Sequence, residues 1–274
     1  NTDSQRLEFF AQDRWYEMAT DTPILEGGAR GFILGGYPGY TDRIERIQID
    51  TGGNGVDFGN LAYSTSLKGN VSDRTRLCTF GDYNAPDTTM VNSIEFITMA
   101  TEGDTVDFGD MSEGRYSPQP VNNSTRGVYM GGRITPNDVN TMEYVTNSTT
   151  GNGIDFGKLS NKRSMAGGLS DGSRAVFASG STPSYNIKTI DYFDIMTGGS
   201  SINFGEMSVA KGWCGTTSSK TRGIIAGGLN PTYQNLIEFI TISSAGDTQD
   251  FGDLTVPRHM GGGVSDCHGG LGGY

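Results

Sequence analysis

The chain has 274 residues, of which 42 are Gly and 9 Pro, with 20 Lys+Arg against 31 Asp+Glu for a formal charge of −11. Gly follows no three-residue period and Pro is scarce, which excludes a collagen-type helix, while 13 Phe, 12 Tyr and 2 Trp are too many aromatics for a long disordered chain. No run approaches the length of a transmembrane helix, and the acidic balance argues against nucleic acid or an anionic membrane surface as partner.

The first segment, residues 1–28, opens on Asn1 rather than Met with no signal-like apolar stretch, and reads as following further upstream chain. Leu7, Phe9, Trp15 and Met18 can line one side of a two-stranded ribbon around Ala11-Gln12-Asp13. An isolated hairpin is marginal in water. It is therefore expected to act as a connector or oligomer contact, to form a partial further blade, or to dock on the edge of the main domain.

From Arg30 onward the sequence repeats. The strings VDFGN, VDFGD, IDFGK, INFGE and QDFGD place Phe at 58, 108, 156, 204 and 251, spaced 50, 48, 48 and 47 residues apart. An Arg opening an apolar run recurs at Arg30, Arg76, Arg126, Arg174 and Arg222 with the same period. Two markers in one register make an internal repeat. Within the unit from Thr125 to Ser173, four short apolar runs are separated by Gly/Asn/Asp/Ser turns: strand b (GVYMGG), c (MEYVT), d (DFGKL) and a (SMAGGLS). No longer window carries a helical period, so the fold class is all-β. Four-stranded units at this period predict a β-propeller of five blades, since each small sheet can bury its faces only against its neighbours. The first unit starts on strand b and the last ends on strand a near 259–265. The C-terminal strand is thus expected to pair with residues 30–36 and close the ring. The domain reading is a connector over 1–28, the propeller over 29–266 and a tail over 267–274.

The order of a Gly-Gly strand, an IEY-like strand, an aromatic strand and an Arg resembles kelch repeats, with Phe of DFG standing where those carry Trp. More narrowly, TRGVYMGG, NTMEYVT, TTGNGIDFGKL and TRGIIAGG are similar to kelch-like propeller domains of tailed-phage tail-fibre or adhesin-type virion proteins. That resemblance covers essentially the whole chain. It implies a non-enzymatic virion module on a fibre or similar appendage, homo-oligomeric with a trimer favoured, contacting other virion proteins and a host surface glycan or protein. A purely architectural virion protein and a free glycan-binding lectin are the alternatives. Asn203 departs from the repeated Asp, and no catalytic residue can be carried over.

The motifs give no catalytic set, metal site or cofactor. DFG without a Gly-rich loop, a strand Lys or an HRD-type loop is not a kinase signature. GNGVD and GDTVD offer too few carboxylates for an EF-hand loop. His259 and His268 are the only histidines, and the dispersed Cys78, Cys214 and Cys267 read as small thiols rather than a disulfide framework. The repeated Arg30, Arg76, Arg126, Arg174 and Arg222 are expected to reach Asp57, Asp107, Asp155, Asn203 and Asp250, because the start of strand b and the turn before strand d lie at one end of a blade. The b–c loops vary most. They carry Tyr37, Tyr40, Tyr83, Asn137, Tyr185 and Tyr233, the candidate receptor-binding residues, since a Tyr ring beside Asn or Asp suits a sugar or a protein surface.

Overall fold

The computed structural model describes residues 8–11, 14–17, 30–36, 39–49, 53–65, 68–73, 75–84 and 89–259. Among them there is no helix; every regular element is a β-strand. β1 (Glu8–Ala11) and β2 (Arg14–Glu17) pair as a hairpin. Sheet 1 holds β3 (Arg30–Leu34), β4 (Thr41–Gln48) and β5 (Val56–Thr65). Sheet 2 holds β6 (Gly69–Ser72), β7 (Arg76–Asn84), β8 (Thr89–Thr98) and β9 (Val106–Asp110). Sheet 3 runs β10 (Gln119–Asn122), β11 (Arg126–Met130), then the small ladder β12 (Arg133–Ile134) and β13 (Asn137–Asp138), then β14 (Thr141–Thr146) and β15 (Ile154–Lys158). Sheet 4 is β16 (Gly167–Ser170), β17 (Arg174–Ala178), β18 (Thr189–Asp194) and β19 (Ile202–Glu206). Sheet 5 is β20 (Gly215–Ser218), β21 (Arg222–Ala226), the ladder β22 (Leu229–Asn230) and β23 (Thr232–Tyr233), β24 (Leu236–Thr241) and β25 (Gln249–Asp253).

Sheets 2–5 are antiparallel meanders in the order a-b-c-d, and sheet 1 shows b-c-d among the described residues. The a strands β6, β10, β16 and β20 lie side by side in chain order and line an open cavity of about 400 Å³, whose walls include Asn70, Asn122, Ser170 and Thr216. The strand proposed from sequence for pairing with residues 30–36 falls almost wholly outside the described residues. So do Cys267, His268 and the tail.

The core is four separate clusters, one between each pair of successive sheets. A DFG phenylalanine sits in every one: Phe58, Phe108, Phe156 and Phe204 are 2–4% exposed. The register explains their aim. Pairing shifts between Glu95 and Ile94, and at the equivalent step in all five sheets, so the Phe is the extra residue of a β-bulge. The bulge turns its ring out of the sheet and onto the next one, where burial of a Phe side chain contributes about 1.5–3 kcal/mol. Phe156, for example, meets Phe193 edge-on at 5.1 Å.

The Gly after that Phe brings two backbones together. Phe108 O accepts from Gly151 N at 2.7 Å and Asp110 O from Gly153 N at 2.8 Å; the same two bonds recur from Gly103 and Thr105, Gly199 and Ser201, and Gly246 and Thr248. Gly109, between those two acceptors, has φ +147°, and a Cβ there would lie 2.4 Å from Gly151 O. Only glycine fits so close an approach in that conformation.

Arg–Asp pairing is replaced by a different contact. Arg126 lies over Tyr144 at 4.0 Å and donates to Ile195 O at 3.0 Å and Met196 O at 2.9 Å in the next sheet. Arg76 stacks on Phe96 and donates to Asn147 O, Arg174 stacks on Tyr192 and donates to Ile242 O, Arg30 donates to Met99 O, and Arg222 stacks on Phe239. Asp57, Asp107, Asp155, Asn203 and Asp250 are exposed, and Asp107 and Asp250 accept the N–H two residues on in their own turns. Strand parity is the reason. Arg126 is opposite Thr146 on β14 and Asp155 is opposite Glu143, an odd number of residues away, so the two side chains leave opposite faces.

The buried charges come from another repeat. Lys68, Arg115, Arg163 and Lys211, each just before strand a, meet Glu95, Glu143, Asp191 and Glu238 on strand c of the sheet that follows them. Arg163 Nη2 stands 2.9 Å from Asp191 Oδ2 with both side chains fully buried. The same carboxylates accept backbone N–H groups from the preceding sheet's last strand or the connector after it: Ala62 on Glu95, Ser112 on Glu143, Ser160 on Asp191 and Ser208 on Glu238. Burial alone would raise the Glu95 carboxyl, but Lys68, the Thr105 hydroxyl and the Ala62 N–H outweigh it and hold it below its ordinary value.

Candidate functional site

The variable b–c loops leave the sheets at the same end as the connectors into strand a, so both kinds of segment share one face. Two of the sequence candidates are prominent there: Tyr185 is 66% and Tyr233 57% exposed. Tyr40 is exposed at the β3–β4 turn with φ +42°, Tyr83 is half-buried near the end of β7, and Asn137 is exposed on β13. Tyr37 lies outside the described residues.

These candidates do not form one site. Among the described residues a cluster forms on sheets 4 and 5. Tyr233 faces His259 with ring centroids 4.6 Å apart, and His259 lies 6.3 Å from Trp213. The loop carrying Tyr185 is tied to the same place, since Asn186 Nδ2 donates to Leu229 O at 2.8 Å. Gln234 fixes the β22–β23 turn by donating to Asn230 O and Thr232 O. Trp213 and His259 were missed in the sequence because they belong to the a-strand connectors rather than to the conspicuous variable loops. The signal was there: Trp213 is the second residue after the buried Lys211, a phase occupied by Ser117 and Met165 elsewhere, and all three have left-handed φ near +55 to +60°. At that shared corner Ser117 and Met165 are buried while Trp213 is half-buried, its N–H bonded to Met165 O at 2.9 Å.

Asn137 is presented by another well-fixed loop. Arg133 grips the buried Asp138 through Nε at 2.6 Å and Nη2 at 3.3 Å, a two-point contact that locks the β12–β13 ladder. The Asp138 hydrogen bond raises the Arg133 guanidinium above its ordinary value.

Among the described residues no group of three His, Cys, Asp or Glu side chains gathers to hold a metal ion. Cys78 and Cys214 are buried free thiols, and burial pushes Cys78 up to about 12. Neither is placed as a nucleophile. The arrangement offers instead a shallow aromatic surface edged by amide and hydroxyl groups.

A scan against protein-family models matches none, and a search of curated proteins finds no match.

Proposed function

We propose that the chain is a non-enzymatic recognition module, a kelch-like propeller whose blades include the five sheets, carried on a tailed-phage tail fibre or similar virion appendage and binding a host surface glycan. The observation that carries binding is the group of half-buried Trp213 and His259 with exposed Tyr233, near the loop that presents exposed Tyr185, all on hydrogen-bonded segments over a close-packed scaffold. Indole and phenol rings offer flat apolar faces to the C–H side of a sugar, and hydroxyls and amides beside them can take its hydroxyl groups. Side-by-side a strands around one cavity, and four like-built interfaces between successive sheets, support the propeller. The virion setting rests on the repeat resemblance. A homo-oligomer on a fibre, with a trimer favoured, would multiply weak single sites by avidity.

The test is binding of fluorescent full chain to host cells and to their extracted surface polysaccharide. Tyr233→Ala and Trp213→Ala should each weaken binding about tenfold or more while leaving the denaturation midpoint of Tyr233→Ala unchanged. Equal binding by wild type and both variants would overturn the assigned site, and absence of any glycan binding would favour a purely architectural virion part.

A further inference from the structure

Charge is spread unevenly over the loop face. The chain carries 31 Asp+Glu against 20 Lys+Arg, yet the four segments around Tyr233 hold no acid at all. They are the b–c loops of sheets 4 and 5, residues 179–188 and 227–235, and the stretches after their d strands, residues 207–214 and 254–259. Segments in the same phase on sheets 1 to 3 include Asp42, Glu113 and Asp138.

Two cations of this acid-free region are already taken. Lys211 Nζ is buried 2.8 Å from Glu238 Oε2, and Lys188 pairs with Glu206 at the end of β19. Arg258 is different. Lys68, Arg115, Arg163 and Lys211, which occupy the same phase, are buried in ion pairs, whereas Arg258 is exposed and makes no salt bridge among the described residues. Its guanidinium donates there only from Nε, to Val256 O at 3.3 Å. The two Nη groups, which complete the fork that grips a carboxylate, are left over.

The backbone ties Arg258 to the aromatic group. Its N–H donates to Gln234 O at 3.0 Å and its carbonyl accepts from Gly228 N at 2.8 Å, so it is fastened to both ends of the loop that presents Tyr233. The next residue, His259, has its ring 4.6 Å from that of Tyr233. Thr232, exposed beside Tyr233, adds a hydroxyl.

We infer that this surface selects acidic sugars. A carboxylate-bearing sugar, such as a hexuronate, lays its C–H face on Tyr233 and sets its carboxylate in the Arg258 fork, with the His259 ring N–H as a second donor. The inference rests on the glycan reading above and adds the charge of the ligand. In a chain of net charge −11, an acid-free patch lets an anionic polymer make contact without meeting like charges, while the acidic surface elsewhere repels it and so confines it to this place.

The test compares extracted host surface polysaccharide before and after carbodiimide activation and borohydride reduction, which turn each carboxyl into a primary alcohol. The full chain should bind the reduced polymer about tenfold or more weakly. Arg258→Gln should bind the native polymer about as weakly as wild type binds the reduced one, lose little more on reduction, and keep the wild-type urea midpoint. Equal binding of both polymers by wild type, or a bound polysaccharide that contains no carboxyl groups, would overturn the selectivity and leave the glycan reading standing. No binding of either polymer would remove that reading and this inference with it. An Arg258→Gln chain that is less stable yet still discriminates the two polymers would make Arg258 a scaffold ion like Arg163 and overturn its role.

Discussion

A Cβ on Gly157 of sheet 3 would lie 2.5 Å from the carbonyl of Gly199 in sheet 4. The two glycines mark the point where the bulge after Phe156 meets the c–d turn of the neighbouring sheet, and Gly199 N donates to Phe156 O there at 2.7 Å.

Gly157→Ala should therefore cost about 2–5 kcal/mol, combining positive-φ strain with a clash against backbone that cannot swing aside. Gly36→Ala is the comparison, with φ +136° but nothing within 4 Å of the added carbon. It should cost only about 1–2 kcal/mol. Urea denaturation of both variants measures the difference, and equal losses would remove the close approach as the reason for the repeated Gly.

Removing one member of the Arg163–Asp191 pair should be worse than removing both. Asp191→Ala strands a fully buried guanidinium, at about 3–5 kcal/mol, whereas Arg163→Met with Asp191→Leu replaces the pair by apolar volume and should cost less. A double variant less stable than Asp191→Ala would refute this.

The repeat was legible because Phe and Arg recur in phase, and so were the four-stranded units and their turns. The Arg partners were misread from a rule about strand ends that ignored side-chain parity: Arg126 and Asp155 share an end but not a face. The ion pairs were equally visible, as Lys or Arg seven residues after Phe in Arg115, Arg163 and Lys211 and as the acid in each IEF-like string, yet a charged residue inside an apolar strand reads as surface until its partner is seen. Of the loop face, loop variability pointed to Tyr185 and Tyr233, which are exposed. Trp213 and His259 were not, because their placement depends on how connectors from two sheets converge, which no local spacing encodes.

Arg126→Lys should cost about 1 kcal/mol, since an ammonium cannot both lie flat on Tyr144 and serve two carbonyls, while Asp155→Ala should stay within about 0.5 kcal/mol of wild type. A large loss from Asp155→Ala in urea denaturation would reinstate the Arg–Asp pairing.

Stability should also fall in acid in a defined window. Burial would raise the Glu238 carboxyl, yet hydrogen bonds from Lys211, Thr248 and the Ser208 N–H hold it below its ordinary 4.5, as their counterparts do for Glu95. A carboxyl depressed in the folded state contributes stability that is fully present above its unfolded value and is lost as pH falls through the folded one. The urea midpoint should hold from pH 7 to about 5 and drop below about 4.5. Glu238→Gln should lower it at pH 7 and flatten the fall; an unchanged slope would exclude this carboxylate as a source.

Each interface is built from unlike halves: a Phe and two carbonyls on one sheet, two turn amides and an acid on the next. Such a surface is not its own complement. Two molecules meeting by these faces could join only head to tail, never about a two-fold axis, giving a closed ring or an open chain according to the rotation between them. The edge at Phe251, 53% exposed, is the face through which such a contact would run.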